Sequence, residues 1–149
     1  MISKVQINLK PSFRDRHGEH ISHEIAEMNL KSRPHVKYHP VYRIEGELGK
    51  SELNDIAAKL LIDPVTENYS LAPLKKAGTV EVEVWLKKGV TDTVSDSVVK
   101  AVRDLGIVKP VKVNTGHKYI LAGKVDKKSA AEIAQKLLAN PIIQEYSID

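Results

Sequence analysis

The chain has no cysteine, which excludes disulfide frameworks, thiolate zinc sites and a cysteine nucleophile. Aromatic residues are scarce, 5% of the total with one Trp and one Phe, so the core must be aliphatic. No apolar run approaches the roughly 20 residues of a membrane-spanning helix, and Met1-Ile2-Ser3-Lys4 leads into no signal-like stretch, so a cytoplasmic location is expected. The sequence lacks G-x-x-x-x-G-K-[ST], G-x-G-x-x-G and G-x-S-x-G, and its eight glycines are dispersed. It therefore shows no centre for nucleotide hydrolysis or acyl transfer. What is present suits one globular unit or two very small ones: 149 residues, 42% hydrophobic and 28% charged. That balance excludes disordered and collagen-like chains. The net charge is +4, a small excess that permits a nucleic-acid partner without demanding one.

An internal repeat organises the chain. Shifted by 77 residues, Lys59-Leu60-Leu61-Ile62-Asp63-Pro64 falls on Lys136-Leu137-Leu138-Ala139-Asn140-Pro141, and Tyr69-Ser70-Leu71 on Tyr146-Ser147-Ile148. Without a gap, the same shift pairs Val5, Ile7, Leu9 and Lys10 with Val82, Val84, Leu86 and Lys87. It also pairs Asp15 with Asp92, Tyr42 with Tyr119, and Gly46 with Gly123. The expected organisation is a first copy over residues 1–71, a linker over 72–79 containing Pro73 and Gly78, and a second copy over 80–149.

Each copy is read against its counterpart. Val82, Val84 and Leu86 alternate with Glu81, Glu83 and Trp85, predicting a strand with one apolar face. Val94, Val98, Val102 and Leu105 have helical spacing, with Ile21, Ile25 and Met28 as counterparts of the last three. Asp15 and Asp92 stand where a carboxylate caps such a helix, and Gly106 stands where one stops. Val111 and Val113 begin a short second strand, and Tyr119, Leu121, Gly123 and Val125 alternate as a third, matched by Tyr42, Ile44, Gly46 and Leu48. A second helix carries Ala130, Ile133, Ala134, Leu137 and Leu138, and Asn140-Pro141 ends it. Ile142, Tyr146 and Ile148, or Val65, Tyr69 and Leu71, give a closing strand. The fold class predicted is α+β, a tandem duplication of a ferredoxin-like βαββαβ unit whose antiparallel sheets carry helices on one face. A unit of about 70 residues is marginal alone, so the two copies are expected to cover each other's bare faces. Trp85 and Ile120, which alternate away from the helices, are candidates for that contact.

Five of the six histidines lie in the first copy. His17, His20 and His23 recur every three residues, a spacing that can bring two imidazoles to a metal. Their counterparts are Val94, Ser97 and Lys100, so the scaffold does not need them. A solvated helix face shared with Glu19, Glu24 and Glu27 is the expectation. His39 and His117 flank the third strands and are expected at the rim. RNA-recognition folds share this strand order and stack bases on sheet aromatics. Here the third strands read Tyr42-Arg43-Ile44-Glu45-Gly46 and Tyr119-Ile120-Leu121-Ala122-Gly123, without the aromatic-rich pattern. Residues 1–74 carry ten charges of each sign, and residues 77–149 eleven basic against nine acidic. Lys112, Lys118 and Lys124 form a candidate basic face of the second copy, with His35, Val41 and Glu47 as counterparts.

The run Lys136-Leu137-Leu138-Ala139-Asn140-Pro141-Ile142-Ile143-Gln144-Glu145-Tyr146-Ser147-Ile148 resembles the ending of PurS, the small component of phosphoribosylformylglycinamidine synthase. Lys118-Tyr119 resembles that family's third strand. Leu9-Lys10, Asp15 and Gly18 resemble its opening L-K-x-x-V-x-D-x-x-G, with Phe13 for the apolar residue; the second copy has Leu86-Lys87, Val90 and Asp92 but Ser95 in place of the glycine. PurS is ordinarily one such unit that dimerises, and the tandem here resembles the N-terminal portion of long-form synthetase subunits. The resemblance implies a non-catalytic assembly and ammonia-transfer scaffold in de novo purine biosynthesis, with a PurL-like synthetase and a PurQ-like glutaminase as partners and self-association as a further option. ATP, magnesium and glutamine are then expected on those partners, and no cofactor or metal on this chain. The alternative is a tandem ferredoxin-like module binding RNA or a small effector. Trp85, Lys112, Lys118, Ile120 and Lys124 are the candidate partner-docking residues.

Overall fold

The computed structural model describes residues 1–73 and 75–149; the expected linker includes Leu74, which lies outside them. The first copy forms β1 (Ile2–Leu9), α1 (Arg16–Ala26), β2 (His35–Glu45), α2 (Lys50–Ile56) and β3 (Glu67–Ser70). The second forms β4 (Thr79–Leu86), α3 (Thr93–Asp104), β5 (Lys112–Ala122), α4 (Lys127–Ile133) and β6 (Gln144–Ile148). Both α2 and α4 run on into a π-helical turn, Ala57–Leu61 and Ala134–Leu138. No described helix is long and apolar enough to cross a membrane.

The α+β class and the duplication hold, but the strand count per copy differs from the expectation. The second and third strands are one, because alternation continues unbroken through Val113, Thr115, His117, Tyr119 and Leu121 with no turn between. Gly46, Leu48, Gly123 and Val125 lie beyond these strands, and Gly123 has φ 121° in the turn that follows. Val65 and Ile142 also fall outside the closing strands and are well exposed.

The six strands form one antiparallel sheet in the order β3-β1-β2-β5-β4-β6. The order is a mirror of itself, since β3, β1 and β2 are the counterparts of β6, β4 and β5. At the centre β2 and β5 pair over all eleven residues, and Pro40 lies opposite His117, its own counterpart 77 positions on. A pseudo-two-fold axis therefore passes through that pair. The expectation that the copies would cover each other's sheet faces is overturned: they join edge to edge.

Because β1 pairs with β2 only through Val41–Glu45, the half of β2 from His35 to Pro40 runs on past β1. The chain must carry α1 over the other copy to enter it there. Ile21 and Ile25 of α1 accordingly pack with Val82, Val84, Tyr119 and Leu121. Reciprocally, Val98 and Val102 of α3 pack with Val5, Ile7 and Ile44. Each core thus contains a helix from the opposite copy, and neither copy closes its core alone.

Side chains of α1 satisfy the overhanging strand. The Ser22 hydroxyl accepts from Val36 N–H at 2.9 Å, and Asp15 Oδ2 from Tyr38 N–H at 2.8 Å. Pro40 is in the same phase as those two residues, so its missing N–H falls where no strand would have received it. Asp15 Oδ1 meanwhile takes Gly18 N–H and caps α1. A Cβ at Gly18 would run into the Val36 carbonyl and the Asp15 carboxylate. Asp92 repeats this double duty with Ser95 and Thr115, and Lys10 and Lys87 each donate 2.6 Å bonds to the carbonyls of Pro64 and Pro141. Much of the motif read at the start of each copy is therefore bracing.

Residues 1–73 produced alone should fail to fold or should self-associate through β2, as measured by sedimentation equilibrium and urea unfolding. A monomeric half with a cooperative transition would contradict the exchanged core.

Candidate docking surface

Side chains alternate along the strands, so the residues opposite the helices share one uncovered face. That face is polar and linked to itself. Lys118 Nζ donates to Gln6 Oε1 at 2.8 Å and pairs with Glu81 Oε1 at 3.0 Å. Gln6 Nε2 donates to Asn8 Oδ1, and Asn8 Nδ2 to Ser70 Oγ. A chain of hydrogen bonds thus runs from β4 through β5 to β1 and β3. Beside it Glu83 Oε1 receives Lys4 Nζ at 2.8 Å and the Trp85 indole N–H at 3.2 Å. The Trp85 ring lies across Gly116, where an added Cβ would meet ring carbons at 2.6–2.8 Å, and Arg43 sits 4.4 Å from the ring centroid. The contacts of Lys118 with Gln6, of Lys4 with Glu83 and of Arg43 with Trp85 all cross from one copy to the other.

The five sequence-predicted docking residues are not brought together. Lys118, expected as an exposed lysine, is 5% exposed, because its charge is matched by Glu81 within the sheet. Lys112 and Lys124 lie at opposite ends of β5, a strand roughly 33 Å long, so the three lysines form no common face. Trp85 and Ile120 do lie on the helix-free face, but Trp85 is 6% exposed beneath Arg43 and Ile120 is half-buried. Lys112 shares an open pocket with Arg43, Lys87 and Lys88, and Lys124 lies with other cations in a groove beside α4.

On the helix side, at the two-fold axis, a cluster forms that the sequence reading missed. His17 stacks on Tyr38 with ring centroids 3.8 Å apart and planes 8° from parallel. Tyr119 Oη lies 3.3 Å from His17 Nε2, and Tyr38 Oη 2.6 Å from His117 Nδ1. Burial raises the pKa of both phenols, that of Tyr119 to about 12. The hydroxyls therefore keep their protons, and each shares one hydrogen bond with an imidazole whose tautomer sets the direction. His39, expected at the rim with His117, lies inside β2 with Nδ1 2.9 Å from the Ile7 carbonyl. His20 and His23 pair with Glu24 and Glu27 one turn on. No three His, Asp or Glu side chains gather for a metal among the described residues. The clue to the cluster was the contrast of His117 with its counterpart Pro40, but sequence alone did not place that pair on an axis.

Two predictions follow from these geometries. Lys118→Ala would leave Glu81 buried without its cation, and should cost about 3 kcal/mol in urea unfolding; a loss within the scatter of surface variants would contradict the clamp. His17, His39 and His117 are all held below the ordinary 6.5 chiefly by burial. Their contribution to stability is full above about pH 6.5 and is lost as pH falls through the lower folded values, where the unfolded chain binds protons first. The urea midpoint should fall as the pH is lowered below about 6.5, and less steeply in His117→Gln, whose side chain does not titrate while its amide still offers Tyr38 Oη a hydrogen-bond partner. An equal drop in that variant would contradict the assignment.

Comparison with known proteins adds sequence kinship to this geometry. A family model described as PurS, phosphoribosylformylglycinamidine (FGAM) synthase, matches twice, over residues 2–74 and 79–149. The phosphoribosylformylglycinamidine synthase subunit PurS of Archaeoglobus fulgidus is 37% identical over 73 residues, covering 46% of this chain and 91% of that protein. The crystal structure of PurS from Methanocaldococcus jannaschii, one of the subunits of formylglycinamide ribonucleotide amidotransferase in the purine biosynthetic pathway, aligns at 29% identity with a TM-score of 0.45. It covers 48% of this chain and 92% of that one. The solved structure MTH169, a PurS subunit of FGAM synthetase, aligns at 25% identity with a TM-score of 0.33, covering 47% and 88%.

Proposed function

Because the chain belongs to the PurS family of phosphoribosylformylglycinamidine synthase, with the family's unit present twice, we propose that it is a non-catalytic scaffold of that synthase in de novo purine biosynthesis. It holds a PurL-like synthetase and a PurQ-like glutaminase together so that ammonia released from glutamine reaches the synthetase. ATP, magnesium and glutamine then bind to those partners, and the location is the cytoplasm expected from the sequence.

The observation that carries this reading is the pseudo-symmetric pair within one chain. Two family units share one sheet and exchange helices, which makes the single chain equivalent to a dimer of single units. A permanently joined pair has the rigidity that a spacer between two enzymes needs. The absence of cysteine from the sequence also leaves no thiol to attack glutamine, so that step falls to the glutaminase. The RNA-binding alternative is not favoured: the aromatic ring of the open sheet face, Trp85, is buried under Arg43 and offers no plane for a base.

The test is reconstitution with a purified synthetase and glutaminase. The three proteins should co-elute in gel filtration, and omission of this chain should abolish glutamine-dependent synthesis while sparing synthesis from added ammonium. Full glutamine-dependent activity without the chain would overturn the scaffold reading, as would glutamine cleavage by the chain alone.

A further inference from the structure

The pseudo-two-fold axis produces two equivalent grooves, each between the turn entering the central strand of one copy and the turn leaving that of the other. Their chemistry is opposed. In the first, an open groove of about 920 Å³, Lys31 and Arg33 of the first copy face Lys124 and Lys128 of the second. The counterparts of these four cations are Val108, Pro110, Glu47 and Ser51. The second groove therefore has a carboxylate and apolar surface where the first has cations, and its Lys109 is already paired to Glu52 at 2.8 Å.

This contrast separates what the fold needs from what it does not. One scaffold closes around both grooves, and the second does so without the four cations. Within the first groove the acids are occupied locally: Asp126 accepts from Ser129 N–H at 2.7 Å and Glu132 from Lys136 at 2.8 Å. Among the described residues none of the four cations has an ion-pair partner. Four cations gathered from two copies against Asp126 and Glu132 leave the groove net positive, a self-repulsion that an anionic partner removes.

We propose that this groove docks an acidic polypeptide surface, carried by one of the two partner proteins of the scaffold reading on which the inference rests. The distribution of the cations selects that occupant. Their side chains are exposed, two on the loop before β2, one on the turn after β5 and one in α4, and the polar groups between them are at most half-buried. A small phosphate site needs donors converging on one point, whereas spread, exposed cations match a spread of carboxylates and act through steering and register. The groove is lined by no aromatic residue, so a nucleic-acid strand would find no stacking platform.

The test uses the full chain as Lys31→Glu/Lys124→Glu, with Lys50→Glu beside the second groove as the matched control. Binding to purified synthetase and to purified glutaminase is measured at low and high salt by interferometry, with thermal melting as the check on folding. The double variant should melt as the unmodified chain does and lose at least about tenfold, or 1.4 kcal/mol, in affinity for one partner at low salt. The difference should shrink at high salt, and Lys50→Glu should bind normally. Unchanged affinity in the double variant would overturn the proposal, as would an equal loss in Lys50→Glu. Binding of a single-stranded RNA that disappears in the double variant, with protein binding intact, would transfer the groove to nucleic acid and also overturn it. If the unmodified chain binds neither partner, the scaffold reading itself fails, a result distinct from a failure confined to the variant.

Discussion

The pairing of β2 with β5 positions every other element, because two strands that run on beyond their neighbours can satisfy their inner edges only by lying against each other. Once they do, the overhang of β2 past β1 places the end of α1 over the other copy, and the same holds for β5, β4 and α3. Helix exchange, the paired cores and the axis through Pro40 and His117 all result from strands longer than the ones beside them. Asp15 and Asp92 lock this arrangement, since each carboxylate holds both a helix start and a strand amide that no neighbouring strand reaches.

The duplicated unit, its helix caps and its apolar faces were legible in the sequence because they rest on local spacing. Periodicity identifies which side of a helix is buried but not which copy buries it, so Ile21 and Ile25 gave no sign of packing on Val82 and Val84. The central strand was divided in two because polar residues and Pro40 interrupt its hydrophobicity, although its alternation does not change phase. Lys118 shows the same limit at the level of a site. It was read as part of an exposed basic face, but Gln6, its partner, is 112 residues away, and no local pattern reports so distant a contact. Lys124 was singled out by its contrast with Glu47, whereas its groove companions Lys31, Arg33 and Lys128 come together only through the fold.

The uncovered sheet face shows how an antiparallel sheet does without a second layer. Its charged and amide groups satisfy one another across the copies, and among the described residues no buried side-chain nitrogen or oxygen lacks a partner. Such a face gains little from apolar contact with another surface. The outer edges are the short strands β3 and β6, of four and five residues, which limits growth of the sheet into further chains.

Helix exchange also imposes an order in time. During synthesis β1, α1 and β2 emerge long before β4 and β5, so the apolar stripe of α1 has no strands of its own core to rest on until the second copy arrives. The pairings that complete the fold run from Glu45 with Lys112, 67 positions apart, to His35 with Ala122, 87 apart, a non-local topology in which loop closure is paid before contacts reward it. A ribosome-bound first copy therefore remains an open half: the edge of β2 that faces β5 in the finished sheet is unpaired, and Ser22 and Asp15 serve only the opposite edge of its overhang.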